Sequence, residues 1–166
     1  MCNKNRLFKS FILSLVLLTN FTLPSNALLD KYKDFARKNP NSKYALGLAQ
    51  NPRCKVSDED REFARNNPST LFAEKIAQNP NYIVTDEDKS FAHDNPDSGF
   101  AEGLALNTTY LIRDIDKEFA RKNPSTKYSK ALVENPHYII ETVDREYAKN
   151  NLDSPITEGI TKNQSF

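Results

Sequence analysis

The chain repeats itself every 28 residues, and that period limits its possible folds more than any other feature. An aromatic followed by alanine recurs at Phe35-Ala36, Phe63-Ala64, Phe91-Ala92, Phe119-Ala120 and Tyr147-Ala148. Asparagine follows in phase at Asn39, Asn67, Asn95, Asn123 and Asn151, with proline after the first four and Leu152 after the fifth. A second asparagine column is Asn51, Asn79, Asn107, Asn135 and Asn163, and a late column reads Cys54, Tyr82, Tyr110, Tyr138 and Phe166. Recurrence at such a period is the signature of stacked supersecondary units.

Within a unit the signals are helical. Ser57-Asp58-Glu59-Asp60 and Thr85-Asp86-Glu87-Asp88 place a capping hydroxyl ahead of acids that suit a positive helix end. The first helix then runs through Phe63-Ala64 and ends near Asn66. Asn67-Pro68 reads as an N-cap and first helical residue, which predicts a second helix from Pro68 to Gln78, with Phe72, Ile76 and Ala77 on one side. Asn79-Pro80 repeats the signal and predicts a short turn of 3₁₀ type through Tyr82-Ile83-Val84. Helices of about three turns are marginal alone in water, so each buries its apolar side on the next unit. The expected fold is all-α: a right-handed α-solenoid of five 28-residue repeats. The units span about 29–56, 57–84, 85–112, 113–140 and 141–166. The end units differ as caps do: Thr157, Thr161 and Ser154-Pro155 break the pattern of the last, and Tyr32 replaces the acid in the first.

Residues 1–27 are unlike the rest. Lys4, Arg6 and Lys9 precede the apolar run Phe11-Ile12-Leu13-Ser14-Leu15-Val16-Leu17-Leu18, and Ser25-Asn26-Ala27 supplies small residues at −3 and −1. This is a secretory signal pattern with cleavage expected after Ala27. The run is shorter than the roughly 20 residues of a spanning helix. The expected location is therefore periplasmic or secreted. No transmembrane segment is expected in residues 28–166, and the chain is expected to be a monomer. Removing residues 1–27 takes the charge from +1 to −2 and leaves Cys54 as the single cysteine. An exported chain with one cysteine forms no internal disulfide, so packing holds the fold.

The segment Asn67-Pro68-Ser69-Thr70-Leu71-Phe72-Ala73-Glu74-Lys75-Ile76-Ala77-Gln78-Asn79-Pro80 resembles the leucine-rich-repeat-variant family. HEAT-like short-helix solenoids are the nearby alternative. The first likeness implies an α-helix and a 3₁₀ helix per repeat; both imply a binding scaffold.

Candidate sites follow from the columns. Lys33, Arg61, Lys89, Lys117 and Arg145 form one column, and Arg37, Arg65, His93, Arg121 and Lys149 form another four residues on, hence on the same helix face. Stacked at roughly 10 Å, they would make a ladder able to bind a linear polyanion or acidic glycan. The competing expectation is a solvated face whose charges pair within the helix, Asp58 with Arg61 and Glu62 with Arg65. Tyr82, Tyr110 and Tyr138 are candidates for an aromatic edge, because a buried hydroxyl needs a partner. Asp58/Asp60, Asp86/Asp88 and Asp114/Asp116 lack the turn-forming glycine of a calcium loop and read as helix-start acids. His93, His137 and Cys54 offer little to a hydrolase or thiol enzyme, and Cys54 reads as a packing substitute for tyrosine. Asn107-Thr108-Thr109 and Asn163-Gln164-Ser165 match the N-glycosylation pattern. The reading is a non-catalytic scaffold for a protein, peptide or glycan, with no metal and no cofactor.

Overall fold

The computed structural model describes residues 26–165; residues 1–25, which hold most of the expected signal sequence, and Phe166 lie outside them. The chain divides into two compact units, Met1–Tyr32 and Lys33–Phe166. The second carries the features discussed below.

Among the described residues there are ten helices and no strand. They are α1 (Asn26–Lys38), α2 (Lys43–Gln50), α3 (Asp58–Asn66), α4 (Leu71–Ala77), α5 (Asp86–Asp94), α6 (Gly99–Leu106), α7 (Asp114–Lys122), α8 (Lys127–Glu134), α9 (Thr142–Asn150) and α10 (Pro155–Lys162). The even-numbered helices pack on one another in chain order, and from α4 on each also packs on the odd-numbered helix before it. This is the neighbour-on-neighbour stacking of a helical repeat solenoid.

Each odd-numbered helix from α3 to α9 starts with an aspartate at its third position. Asp60, Asp88, Asp116 and Asp144 accept the N–H of the capping residue three before, at 2.8–3.0 Å. The same helices, and α1, end on the first asparagine column. The Nδ2 of Asn39, Asn67, Asn95, Asn123 and Asn151 donates to the carbonyl four residues back, at 2.9–3.1 Å. Asn67 therefore closes α3 instead of opening the next helix. The second helix starts at Leu71, capped by Thr70, whose hydroxyl accepts from the Ala73 N–H. Pro68 is held in the turn because its carbonyl accepts the Phe100 N–H of the next unit at 2.8 Å. Pro40, Pro96 and Pro124 do the same for Phe72, Tyr128 and Ile156. After Asn79 the chain makes one hydrogen-bonded turn, Tyr82 N–H to the Asn79 carbonyl, and continues without the expected 3₁₀ helix.

The second asparagine column is the backbone staple of the stack. Asn79 Nδ2 donates to the carbonyls of Ala49 and Asn51, and its Oδ1 accepts the Asn81 N–H. Asn107, Asn135 and Asn163 repeat the device on the preceding unit. Both glycosylation-pattern asparagines belong to this buried ladder, so neither amide faces solvent.

The core lies between the two helix layers. Phe72, Phe100, Tyr128 and Ile156 are buried at one column, with Ile76, Leu104, Leu132 and Ile160 at another. Each large aliphatic or aromatic buried contributes roughly 1.5–3 kcal/mol, which offsets the cost of ordering such short helices. Half-buried Phe63, Phe91 and Phe119 close the core with edge-to-face contacts to Phe72, Phe100 and Tyr128. Even-numbered helices approach so closely that Gly103 has its Cβ direction blocked by the Glu74 carbonyl and by the Ala77 Cβ. Gly103→Ala is expected to cost about 1–3 kcal/mol by overpacking. Gly47, with open space around its Cβ direction, tolerates the same change. Urea midpoints of the two variants check this contrast.

Candidate functional site

The two basic columns do form a ladder, but it faces inward, toward the next unit. Lys33 Nζ and Arg37 Nη1 each lie 2.6 Å from opposite oxygens of Asp60, which is fully buried. Arg65 Nη2 lies 2.8 Å from Asp88 and Arg61 Nη1 3.5 Å from it. Arg121 Nε lies 2.9 Å from Asp144, and Lys117 Nζ 2.5 Å from Glu141. Lys89 Nζ is 3.7 Å from Asp116 and His93 Nε2 3.4 Å from the same carboxyl. The first column also donates to backbone carbonyls of the next turn: Lys33 to Lys55, Arg61 to Ile83, Lys89 to Leu111. Arg145, in the last unit, donates to the Ser165 carbonyl at 3.1 Å, and Lys149 is exposed. The pairing expected within a helix, Asp58 with Arg61 and Glu62 with Arg65, gives way to pairing between units. The reason is burial: a carboxylate taken out of water needs its counter-charge at contact distance.

The tyrosines belong to the same device. Tyr82, Tyr110 and Tyr138 are completely buried, so they line no edge. Each hydroxyl donates to the aspartate six residues on, at 2.8–3.3 Å. Burial pushes all three phenols up, and the adjoining carboxylates push them further. Tyr128 bonds the Tyr110 hydroxyl, extending the chain of buried hydroxyls. In the one unit where Cys54 replaces the tyrosine, the thiol is buried and its pKa is raised by burial, the opposite of a reactive thiolate.

His93 stands where its column has arginine, and it stacks on Phe119 at 4.5 Å between ring centres. His137 is exposed and its Nε2 lies 2.9 Å from the Thr108 carbonyl. Among the described residues no group of three or more His, Cys, Asp or Glu could hold a metal ion. The acids at helix starts are instead split: Asp60, Asp88 and Asp116 are buried in the ladder, while Asp58, Asp86 and Asp114 are exposed.

The ladder makes a pH prediction. Burial raises the Asp60 carboxyl, but hydrogen bonds and charge from Lys33, with those from Ser57, hold it below the ordinary carboxylate value. A depressed pKa contributes stability above the unfolded value near 4, and that contribution is lost as pH falls through the folded value. Thermal midpoints should therefore drop steeply below about pH 4. Asp60→Asn should be less stable at neutral pH yet show a shallower drop on acidification. Parallel acid losses in both proteins would count against the assignment.

What remains on the surface is different in kind. Ile83, Leu111 and Ile139 occupy one repeat position and are 66%, 69% and 67% exposed. Another position carries Glu59, Glu87, Ile115 and Val143, all exposed. An open groove of about 610 Å³ separates α3 from α5, lined by Asp58, Glu62, Asp86 and Glu87 with Arg61, Arg65 and Thr85. Sequence reasoning missed the Ile83 column, although its 28-residue phase was visible, because isoleucine and leucine read as core. Comparisons with protein-family models, with curated proteins and with solved structures yield no match.

Proposed function

We propose that this chain is an exported, non-catalytic repeat protein that holds a protein or peptide on one edge of its helical stack. The observation that carries the reading is the in-phase column Ile83, Leu111 and Ile139. Scattered exposed aliphatics are ordinary, but one at the same position of successive units makes a continuous apolar line, which marks an interaction surface. Export rests on the sequence of residues 1–27. A five-unit, right-handed stack of the leucine-rich-repeat-variant or HEAT-like kind fits the same role. The basic ladder gives little support to polyanion binding, since most of its cations are committed to buried aspartates. Nor do the histidines favour an enzyme: His93 is packed against Asp116, Phe119 and Tyr128.

Site-specific photo-crosslinking in exporting cells tests the binding role. A photoreactive phenylalanine at position 111 should yield a discrete adduct, and one at position 127, exposed at the start of α8, should not. The same adducts from both positions would sink the reading. Fusion of residues 1–27 to a reporter active only outside the cytoplasm tests export separately.

A further inference from the structure

We propose that the partner presented to this edge is a polypeptide segment that is basic at one end and apolar at the other. The proposal rests on the binding reading above and names its chemistry. The edge itself is divided. Toward the C-terminal end it is aliphatic: Leu111, Ile115, Ile139 and Val143 are all exposed. Toward the N-terminal end the positions of Ile115 and Val143 carry Glu59 and Glu87, with Asp58 and Asp86 exposed beside them, while the column of Ile83 begins at the exposed Lys55.

The local counter-ions do not erase that acidity. Arg61 and Arg65 flank the groove, but both are held against the buried carboxylate of Asp88. Arg65 reaches Glu87 at 3.3 Å only while serving Asp88 as well, and Arg113 pairs with Asp86 at 3.0 Å. The buried Asp88 and the groove's Glu87 thus share the Arg65 guanidinium. A cation delivered from outside would find the exposed carboxylates of Asp58 and Glu62, and those of Glu59 and Glu87, whose guanidinium partners Arg37 and Arg65 also serve buried aspartates. An anionic lipid surface or a polyanion would meet repulsion there.

Geometry matches a peptide. Successive units are about 10 Å apart, the usual helix packing distance. Three residues of a polyproline-II segment span roughly that length and return the side chain to the same side. Apolar side chains at every third residue of such a segment would therefore fall on Ile83, Leu111 and Ile139, with lysines or arginines at its end over the groove acids beside Ile83.

The probe is a fluorescein-labelled peptide with four lysines followed by leucine at every third position, titrated with the full chain and followed by anisotropy. Two control peptides replace the lysines with glutamates or the leucines with serines. Both controls should bind at least roughly tenfold more weakly. Binding should weaken by a similar factor in a variant carrying Ile83→Ser, Leu111→Ser and Ile139→Ser, with the thermal midpoint unchanged. Glu59→Lys with Glu87→Lys should reverse the preference between lysine and glutamate peptides. Equal binding of all peptides, or none, overturns the proposal. So does a concentration-dependent dimer that the serine variant abolishes, since the edge would then meet a second copy. If the position-111 crosslink persists while the peptide preference fails, the partner class is wrong and the binding role stands.

Discussion

Asn107→Ala is expected to unfold most of the molecule at room temperature or to leave it barely folded. Its Nδ2 donates to the carbonyls of Ala77, Asn79 and Tyr82, and its Oδ1 accepts the Thr109 N–H at 2.7 Å. All of these groups are at the contact between two units, and the side chain is buried. Alanine would leave the Ala77 carbonyl and the Thr109 N–H without this partner out of water, at about 1–3 kcal/mol each, while the Asn79 and Tyr82 carbonyls keep the Tyr82 N–H and the Thr109 hydroxyl. The sum is on the order of 4 kcal/mol or more, a large share of the 5–15 kcal/mol that holds a typical domain. Asn51, at the same column in the first unit, is exposed, and Asn51→Ala should cost less than about 1 kcal/mol. Asn107→Asp separates donor loss from volume loss: it keeps the shape but removes both N–H donors, and should be as damaging as alanine. Urea unfolding of the three variants decides. A mild Asn107→Asp would mean that volume, not the donated hydrogen bonds, holds the units together.

Asp88→Ala is the second severe change. It removes a fully buried carboxylate that serves Arg65 at 2.8 Å, the Tyr82 hydroxyl at 2.9 Å and the Thr85 N–H at 3.0 Å. Breaking a buried pair from one side costs about 3–5 kcal/mol, because the remaining partners stay desolvated. The exposed pair Lys122–Glu118 sets the scale at the other extreme, and Glu118→Ala should leave the urea midpoint almost unchanged. Replacing both partners tests the cause. Arg65→Met with Asp88→Leu should recover part of the loss, since the closest cation is removed with the carboxylate and Arg61 keeps its bond to the Ile83 carbonyl. Hydrogen exchange should place the Asp88→Ala damage around α3 and α5 first, as expected when each unit contacts only its neighbours.

These two columns also show how far the sequence could be read. Asparagine and aspartate at fixed phase were plain in the one-dimensional pattern, and so was their helical setting. Their partners were not. Asn67 offered two physically sound roles, N-cap of the following helix or closure of the preceding one. The choice fell to the Pro68 carbonyl, which is committed to the Phe100 N–H 32 residues later. Arg61 and Arg65 likewise had acids three residues away in the chain. They turn to Asp88 because that carboxylate is buried and lies in the adjacent unit, a distance the sequence does not contain. The tyrosine column is the same case: its hydroxyl needs water or a partner, and the aspartate six residues on supplies the partner in the interior, a choice that burial makes.

The sequence by itself determined the period, the all-helical class and the alternation of two short helices, because caps, proline and apolar spacing act within one turn of chain. Only the tertiary structure decided which way the charges face. The cations of one unit meet the aspartates of the next, so the basic ladder became internal cement and left acids and a line of aliphatics outside. Ion pairing across a stack depends on burial and on contacts 23 to 28 residues apart, and those are fixed by packing, not by neighbours in the chain.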